Sequence, residues 1–194
     1  AVGPAELVSD VVRRGRSLAT VAVTVHQQGR AVAVVRVTMS EPTTTGHQWA
    51  TVPPDRAAPV ERCVPFTPPP SIRHFAQADL RIDPATVPTG DADEARIAGH
   101  VRPIEERPID AAWLTMIGDW FPPTPFRRHV PPTGGVSIDY TVHVHRTLPA
   151  DPDRWLEGVF VAGTSTAGIA LERGSLATPD GLLVAETFHT RWTV

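Results

Sequence analysis

One apolar segment, residues 110–121, restricts the fold more than any other part of this 194-residue chain. It opens with Asp110, whose carboxylate can accept hydrogen bonds from the free N–H groups of a helical first turn. Two prolines follow the segment directly, and proline cannot continue a helix. Between these limits the segment is apolar except for Thr115 and Asp119. It predicts a helix buried on nearly all sides, and the β-rich runs around it predict an α+β fold with a long antiparallel sheet.

Asp119 does not fit a buried helix. Its carboxylate is predicted to lie among aromatic and aliphatic side chains near the C-terminal end of the helix. Burial and the negative end of the helix dipole both disfavour a charge there. The position therefore needs a partner or a function, and the alternative to a functional role is a loop cap or an ion pair with Arg127 or Arg128.

The following strand, residues 136–146, alternates strictly between apolar and polar side chains. Val136, Ile138, Tyr140, Val142 and Val144 are predicted to face one side, and Ser137, Asp139, Thr141, His143 and His145 the other. Ser137 alone would be an ordinary residue of the polar face. The two histidines suggest a metal site, but no Cys or further acid at ligand spacing completes a set, so we expect no metal.

Composition excludes several classes of protein. The net charge of −3, with arginine as every basic residue, argues against nucleic acid as the main partner. No apolar run approaches the roughly 20 residues that a membrane helix needs. No secretory signal is evident and Cys63 is the single cysteine, so we expect no membrane association and a cytoplasmic location.

The chain divides into three parts. Three β-rich runs predict an antiparallel meander. Residues 41–72 hold eight of the 21 prolines without periodicity, which is typical of a semi-extended linker. The β-rich runs lie at residues 6–12, 18–26 and 31–39, and further strands are predicted at 75–82, 95–104, 155–162, 168–173 and 182–193. We assign residues 1–40 to a first unit, 41–72 to the linker and 73–194 to a second unit.

A weak internal repeat relates the two units. Residues 13–23 align with 161–171, so that Gly15 meets Gly163, and after a short insertion residues 29–33 align with 181–185. In the second copy about eighty residues precede the aligned region, whereas almost none do in the first. We therefore expect a fragment, or a natural chain that begins upstream with the first helix and its opening strands.

Several segments resemble the acyl-CoA thioesterase II (TesB-like) family. Residues 110–121 are similar to the central helix of that family's second hotdog, where an aspartate lies near the helix end. Residues 137–146 resemble its next strand, which opens with Thr or Ser and ends in an aromatic or His followed by His-Arg. Residues 179–185 resemble the last hairpin and 15–20 the Gly-Arg-Ser segment of the N-terminal hotdog. The resemblance implies a double hotdog, a long antiparallel sheet around a central helix in two copies, with the first copy lacking its N-terminal strands and helix here.

The resemblance also implies hydrolysis of acyl-CoA thioesters by an activated water, without a cofactor. The aspartate, hydroxyl and glutamine that orient water in the family match Asp119, Ser137 and His189. His189 is a departure from glutamine, and it could orient water, act as a base or mark a copy that has drifted from catalysis. The thiolate leaves well, so hydrolysis requires no covalent nucleophile. Exposed sheet edges and the family's assemblies predict a homo-oligomer.

Four further residues are candidates for substrate binding. Arg14 and Arg16 could clamp a coenzyme A phosphate, because guanidinium forks match phosphate oxygens, although such a cluster is more often a solvated loop. Trp113 and Trp120 could wall an acyl pocket or belong to the core. Two other functions stay open, a non-catalytic acyl-thioester binding module and a hotdog enoyl-thioester hydratase or dehydratase.

Overall fold

The structure, a computed structural model, describes residues 3–41, 49, 56–67, 76–129 and 135–193. It divides the chain into two compact units, Ala1–Trp49 and Ala50–Val194. No helix within these described ranges is long and apolar enough to cross a membrane.

The first unit is an antiparallel meander, as the sequence predicted. It consists of β1 (Glu6–Arg14), β2 (Leu18–Gln27) and β3 (Arg30–Ser40), in the order β1-β2-β3. The turn between β2 and β3 contains Gln28 and Gly29 at φ 53° and 74°, a left-handed backbone that favours glycine. Among its described residues this unit contains strands and turns but no helix.

The second unit combines one α-helix with a seven-stranded sheet in its described residues. The strands are β4 (Val64–Pro65), β5 (Ala78–Ile82), β6 (Arg96–Pro103), β7 (Val136–Val144), β8 (Leu156–Thr166), β9 (Ile169–Ala177) and β10 (Leu183–Trp192), and the helix is α1 (Ala111–Ile117). Their order is β4-β5-β6-β8-β9-β10-β7, and every pairing is antiparallel. The predicted helix is therefore present but shorter than predicted, and the strands predicted near the C-terminal end of the chain are present as β8, β9 and β10.

Helix α1 packs on one face of this sheet and forms the core with it. Asp110 caps the helix as predicted, since its Oδ1 accepts the N–H of Trp113 at 2.8 Å. The helix side chains Trp113, Leu114 and Ile117 are buried with residues of β5, β6, β8, β9 and β10. The helix ends at Ile117, four residues earlier than predicted, and the chain continues in turns.

Gly118, which follows the last helical residue, lets α1 approach the sheet closely. A Cβ at this position would lie 2.2 Å from the Tyr140 hydroxyl of β7 and 2.7 Å from Thr187 Cγ2 of β10. A larger residue would push the helix end away from both strands. The glycine thus places the next residue, Asp119, beside β7 and β10.

Part of the predicted linker packs against the sheet. Arg56 forms a bidentate ion pair with the buried Glu157 of β8, with Nε 2.7 and 2.8 Å from the two carboxylate oxygens. Cys63 is buried, and β4 pairs with β5. A buried carboxylate needs a cation. The stretch 56–67 therefore lies on the sheet, where Arg56 reaches Glu157, and does not form an extended connection. The other linker residues, 42–48, 50–55 and 68–72, lie outside the described residues, and the unit boundaries 1–40, 41–72 and 73–194 stay predictions.

Strands β8, β9 and β10 form a second antiparallel meander, whose β-bulges lie at positions equivalent to those of β1–β2–β3. Val12 is the extra residue on β1, as Gly163 is on β8, and Val32 is the extra residue on β3, as Val184 is on β10. The predicted alignment of Val32 with Val184 agrees with these bulges. The predicted match of Gly15 with Gly163 is wrong by three residues, because the bulges pair Gly163 with Val12.

Candidate functional site

Asp119 lies at the end of α1 and is accessible to solvent. Its side chain is 43% exposed, which corrects the expectation of a buried acid. Its partner is Arg191 of β10, whose Nη2 donates to Asp119 Oδ1 at 3.1 Å. Arg127, one of the two partners considered from the sequence with Arg128, donates instead to the carbonyl of Val87. The acid therefore has a cation from the sheet, which explains how it is tolerated near the negative end of the helix.

A β-bulge in β7 turns Ser137 toward the helix. Tyr140 is opposite His189 and Asp139 opposite Thr190, but Ser137 is opposite Arg191, so one residue of β7 has no opposite residue in β10. Side chains opposite each other in a sheet share a face. The strict alternation predicted for residues 136–146 is therefore wrong at the start of the strand, and Ser137 faces α1 together with Tyr140.

Ser137, His189 and Asp119 form a connected group on this face. The Ser137 hydroxyl lies 2.7 Å from Nε2 of His189, and Asp119 Oδ1 lies 3.4 Å from Nδ1 of the same ring. The second distance is longer than an ordinary N–H···O hydrogen bond. When the serine donates to Nε2, the ring proton is on Nδ1. This nitrogen makes no hydrogen bond among the described residues, but it lies within ion-pair distance of the carboxylate. The structure thus brings together the three predicted catalytic residues and places the imidazole between the other two.

The surroundings of His189 favour its neutral form. Burial and the nearby Arg191 guanidinium lower the pKa of His189 below its usual 6.5, and Asp119, Glu172 and Asp139 oppose this shift. The ring also packs against Tyr140, with 4.8 Å between ring centroids. Burial raises the pKa of the Tyr140 hydroxyl, which donates to the carbonyl of Thr115 in α1. At neutral pH the imidazole can therefore accept a proton.

A buried ion pair that the sequence did not reveal supports this group. Arg191 donates through Nε and Nη2 to Glu172 Oε1 of β9, at 3.1 and 2.9 Å. The other oxygen of Glu172 accepts the N–H of Thr124 at 2.8 Å. Glu172 lies on the same face of β9 as the buried Ala170, two residues earlier. A charged residue in phase with core residues is the signal that could have identified it.

The proposed substrate-binding residues are divided between the two units. Trp113 and Trp120 are both buried in the core of the second unit. Arg14 ends β1 and Arg16 lies in the following loop, both exposed in the first unit. Their roles in substrate binding stay predictions.

A cavity of about 490 Å³ is lined by residues such as Arg56, His100 and Trp155. It shares no residue with the Asp119 group.

The two histidines that suggested a metal have other neighbours. The ring of His143 packs edge-on against Phe188, and His145 Nε2 lies 3.0 Å from Glu186. Within the part of the chain that the structure describes, no group of three or more His, Cys, Asp or Glu residues is arranged to hold a metal ion.

Comparisons with known proteins identify the fold. Residues 46–192 match the family described as the acyl-CoA thioesterase C-terminal domain. No curated protein matches the sequence. A putative thioesterase II from Thermobifida fusca YX is similar in structure, with a TM-score of 0.82 and 19% identity over 99% of this chain and 73% of that chain. A conserved protein of unknown function with a hot dog fold from Alicyclobacillus acidocaldarius has a TM-score of 0.81 and 21% identity over 97% and 72%.

An acyl-CoA thioesterase II, TesB2, from Mycobacterium marinum has a TM-score of 0.70 and 18% identity, over 98% of this chain and 73% of that chain. Likeness at these identities shows the fold alone. The hotdog fold predicted from the sequence is confirmed, with one helix and a long antiparallel sheet in the second unit. The resemblance to TesB-like proteins is confirmed as well.

Proposed function

Because the chain belongs to the acyl-CoA thioesterase C-terminal domain family, we propose that it hydrolyses acyl-CoA thioesters at the group formed by Asp119, Ser137 and His189. The family supports a thioester hydrolase, and the specific substrate and site are our assignment. The observation that carries it is the 2.7 Å contact between the Ser137 hydroxyl and Nε2 of a buried imidazole with Asp119 on its other side.

The proposed chemistry requires a base near the thioester carbonyl. A neutral imidazole accepts a proton from an attacking oxygen and can return it to the leaving sulfur. His189 is suited to this role because its lowered pKa keeps the ring neutral at pH 7. Asp119, held by Arg191, stabilises the charge of the ring once it is protonated. This differs from the mechanism implied by the family resemblance, in which the residues matching Asp119, Ser137 and His189 together orient the water.

A thiol-release assay tests the proposal. The protein is mixed with acyl-CoAs of increasing chain length, and free thiol is followed with a thiol reagent. We expect release with at least one chain length and a loss on the order of 10²-fold or more in Asp119→Ala, because the protonated base loses the carboxylate that stabilises its charge. Asp153→Ala, which removes an exposed acid of the second unit, is the matched control and should keep full activity.

The same assay separates the two other functions. Binding of acyl-CoA without thiol release at any chain length would support a non-catalytic binding module. Conversion of an enoyl thioester to a hydroxyacyl thioester would support a hydratase. Full activity in Asp119→Ala would contradict the site assignment.

Self-association and a cytoplasmic location are proposed with this function. Light scattering of the purified protein tests the self-association.

A further inference from the structure

We propose that Ser137 is a nucleophile, so that the acyl group passes from the thiol to Ser137 Oγ and only then to water. The inference rests on the proposed thioesterase function and changes its mechanism. It differs from the mechanism implied by the family resemblance, in which a water oriented by aspartate, hydroxyl and glutamine attacks the thioester directly.

The first argument is the order of the contacts. Ser137 Oγ is on the Nε2 side of His189, and Asp119 is on the Nδ1 side. A hydroxyl, an imidazole and a carboxylate in this order form an activated nucleophile, because the ring can accept the hydroxyl proton while the carboxylate stabilises the resulting imidazolium. A glutamine amide in place of the imidazole could orient a hydroxyl but could not accept its proton.

The second argument is the position of the oxygen nearest the base. The side chain of His189 is 1% exposed, whereas Ser137 in front of it is exposed. A water that delivered its proton to Nε2 would have to displace the Ser137 hydroxyl, which already lies 2.7 Å from that atom. The attacking oxygen that the structure supplies is therefore the serine Oγ.

The third argument is that the backbone directs Ser137 to this position. Without the bulge between Asp139 and Ser137, regular alternation would turn Ser137 away from Tyr140 and His189. The remaining member, Asp119, is held in place by Arg191, and Arg191 is held by the buried Glu172. Ser137 and Asp119 are thus both positioned by parts of the structure outside the proposed relay.

The proposed reaction has two balanced steps. A lone pair of Ser137 Oγ attacks the thioester carbonyl carbon while its proton moves to His189 Nε2. The C–S bond then breaks, its electron pair goes to sulfur, and Nε2 returns the proton to give free thiol and an acyl ester of Ser137. Water attacks this ester, Nε2 accepts a water proton, the C–Oγ bond breaks, and Oγ recovers a proton to leave the free acid.

Covalent labelling tests the nucleophile separately from thioester hydrolysis. The whole protein is treated with an alkyl fluorophosphonate, which reacts with activated serines, and the modified peptide is located by mass spectrometry. We expect one adduct on Ser137, no labelling in Ser137→Ala or His189→Gln, and unchanged labelling in Ser165→Ala, an exposed serine of β8. Tryptophan fluorescence verifies that each variant is folded.

Kinetics with methanol as a competing acceptor complete the test. If every substrate forms the same acyl ester, the ratio of methyl ester to acid is identical for thioesters that differ only in their leaving thiol. Ser137→Ala should lower kcat/KM on the order of 10³-fold or more.

Thiol release without an adduct, or with a ratio of methyl ester to acid that changes with the leaving thiol, would overturn the role of Ser137 as nucleophile and leave the thioesterase function intact. An adduct on Ser137 without thiol release from any acyl-CoA would instead overturn the thioesterase function and leave the activated serine in place.

Discussion

The meanders β1–β2–β3 and β8–β9–β10 have the same backbone plan but different chemistry on one face. Both are antiparallel, and both carry bulges at equivalent positions of their first and third strands. Counted from these bulges, Val37 of β3 corresponds to His189 of β10. The residues opposite them also correspond, Val21 of β2 to Glu172 of β9. Arg191 corresponds to Met39. A common strand architecture therefore carries the candidate site in one case and aliphatic or thioether side chains in the other.

The difference shows what a charged face needs in order to be buried. Val37 and Met39 are 40% and 50% exposed, whereas His189 and Arg191 are buried. The charges of the second meander are satisfied because Glu172 and Arg191 pair with each other and Asp119 approaches from the end of α1. Charges without such partners would be costly on a buried face.

The largest expected effect comes from replacing His189 with valine, its equivalent in the first meander. We expect kcat/KM for acyl-CoA hydrolysis to fall on the order of 10²- to 10⁴-fold, because the proton acceptor is lost. The fold should be retained, since valine suits a strand. Phe188→Val, on the opposite face of β10, is the control and should keep its activity. Wild-type kcat/KM in the His189 variant would rule out its role as base.

The ion pair gives the next largest effect, this time on stability. Arg191→Met leaves Glu172 as a buried carboxylate without its cation and should lower the free energy of unfolding by about 3–5 kcal/mol. Glu172→Val combined with Arg191→Met installs both residues of the first meander and should recover most of this loss. Urea unfolding followed by tryptophan fluorescence, to which the buried Trp113 and Trp120 contribute, measures both. Equal losses in the single and double variants would show that charge burial is not the cause.

The glycines of the two equivalent turns provide a smaller and symmetric test. Gly29 and Gly181 have φ values of 74° and 91°. Alanine at either position should cost about 1–2 kcal/mol, because a Cβ strains the left-handed backbone. Gly163→Ala is the control, since a Cβ there meets nothing within 4 Å and the equivalent bulge residue is Val12. Urea unfolding should give similar losses for the two turns, and a loss at only one of them would contradict their equivalence.

The smallest expected effect is a pH dependence of stability specific to the second meander. The pKa of His189 is lowered in the folded protein, so the unfolded chain binds more protons. Stability should therefore fall as the pH drops below about 6.5 toward the folded pKa. The charged groups that act on the ring are Asp119, Glu172 and Arg191, together with Asp139 on the other face of β7, and Tyr140 packs against it. In His189→Val the contribution of His189 to the change of unfolding free energy with pH should disappear. The same pH dependence in this variant and in the wild type between pH 5 and 7 would contradict the prediction.

Most of the fold could be predicted because it depends on local patterns. A capping aspartate and two prolines limited the helix, and runs of β-branched residues located the strands. The predictions were wrong where one extra residue or one distant partner decided the outcome. The bulge reversed the face of Ser137, and Arg191 replaced Arg127 as the partner of Asp119. The stretch 56–67, apparently a linker by composition, lies on the sheet because Arg56 pairs with Glu157.

The sequence by itself determined the start of the helix, the positions of most strands, the repeated meander and the three candidate residues Asp119, Ser137 and His189. The tertiary structure decided that these residues meet and in which order. Ser137 and His189 are 52 residues apart in the chain, and Asp119 and Arg191 are 72 apart. Hydrophobic periodicity specifies which residues form a strand, but register, bulges and ion pairs depend on which strands become neighbours, and that is settled only when the sheet packs against its helix.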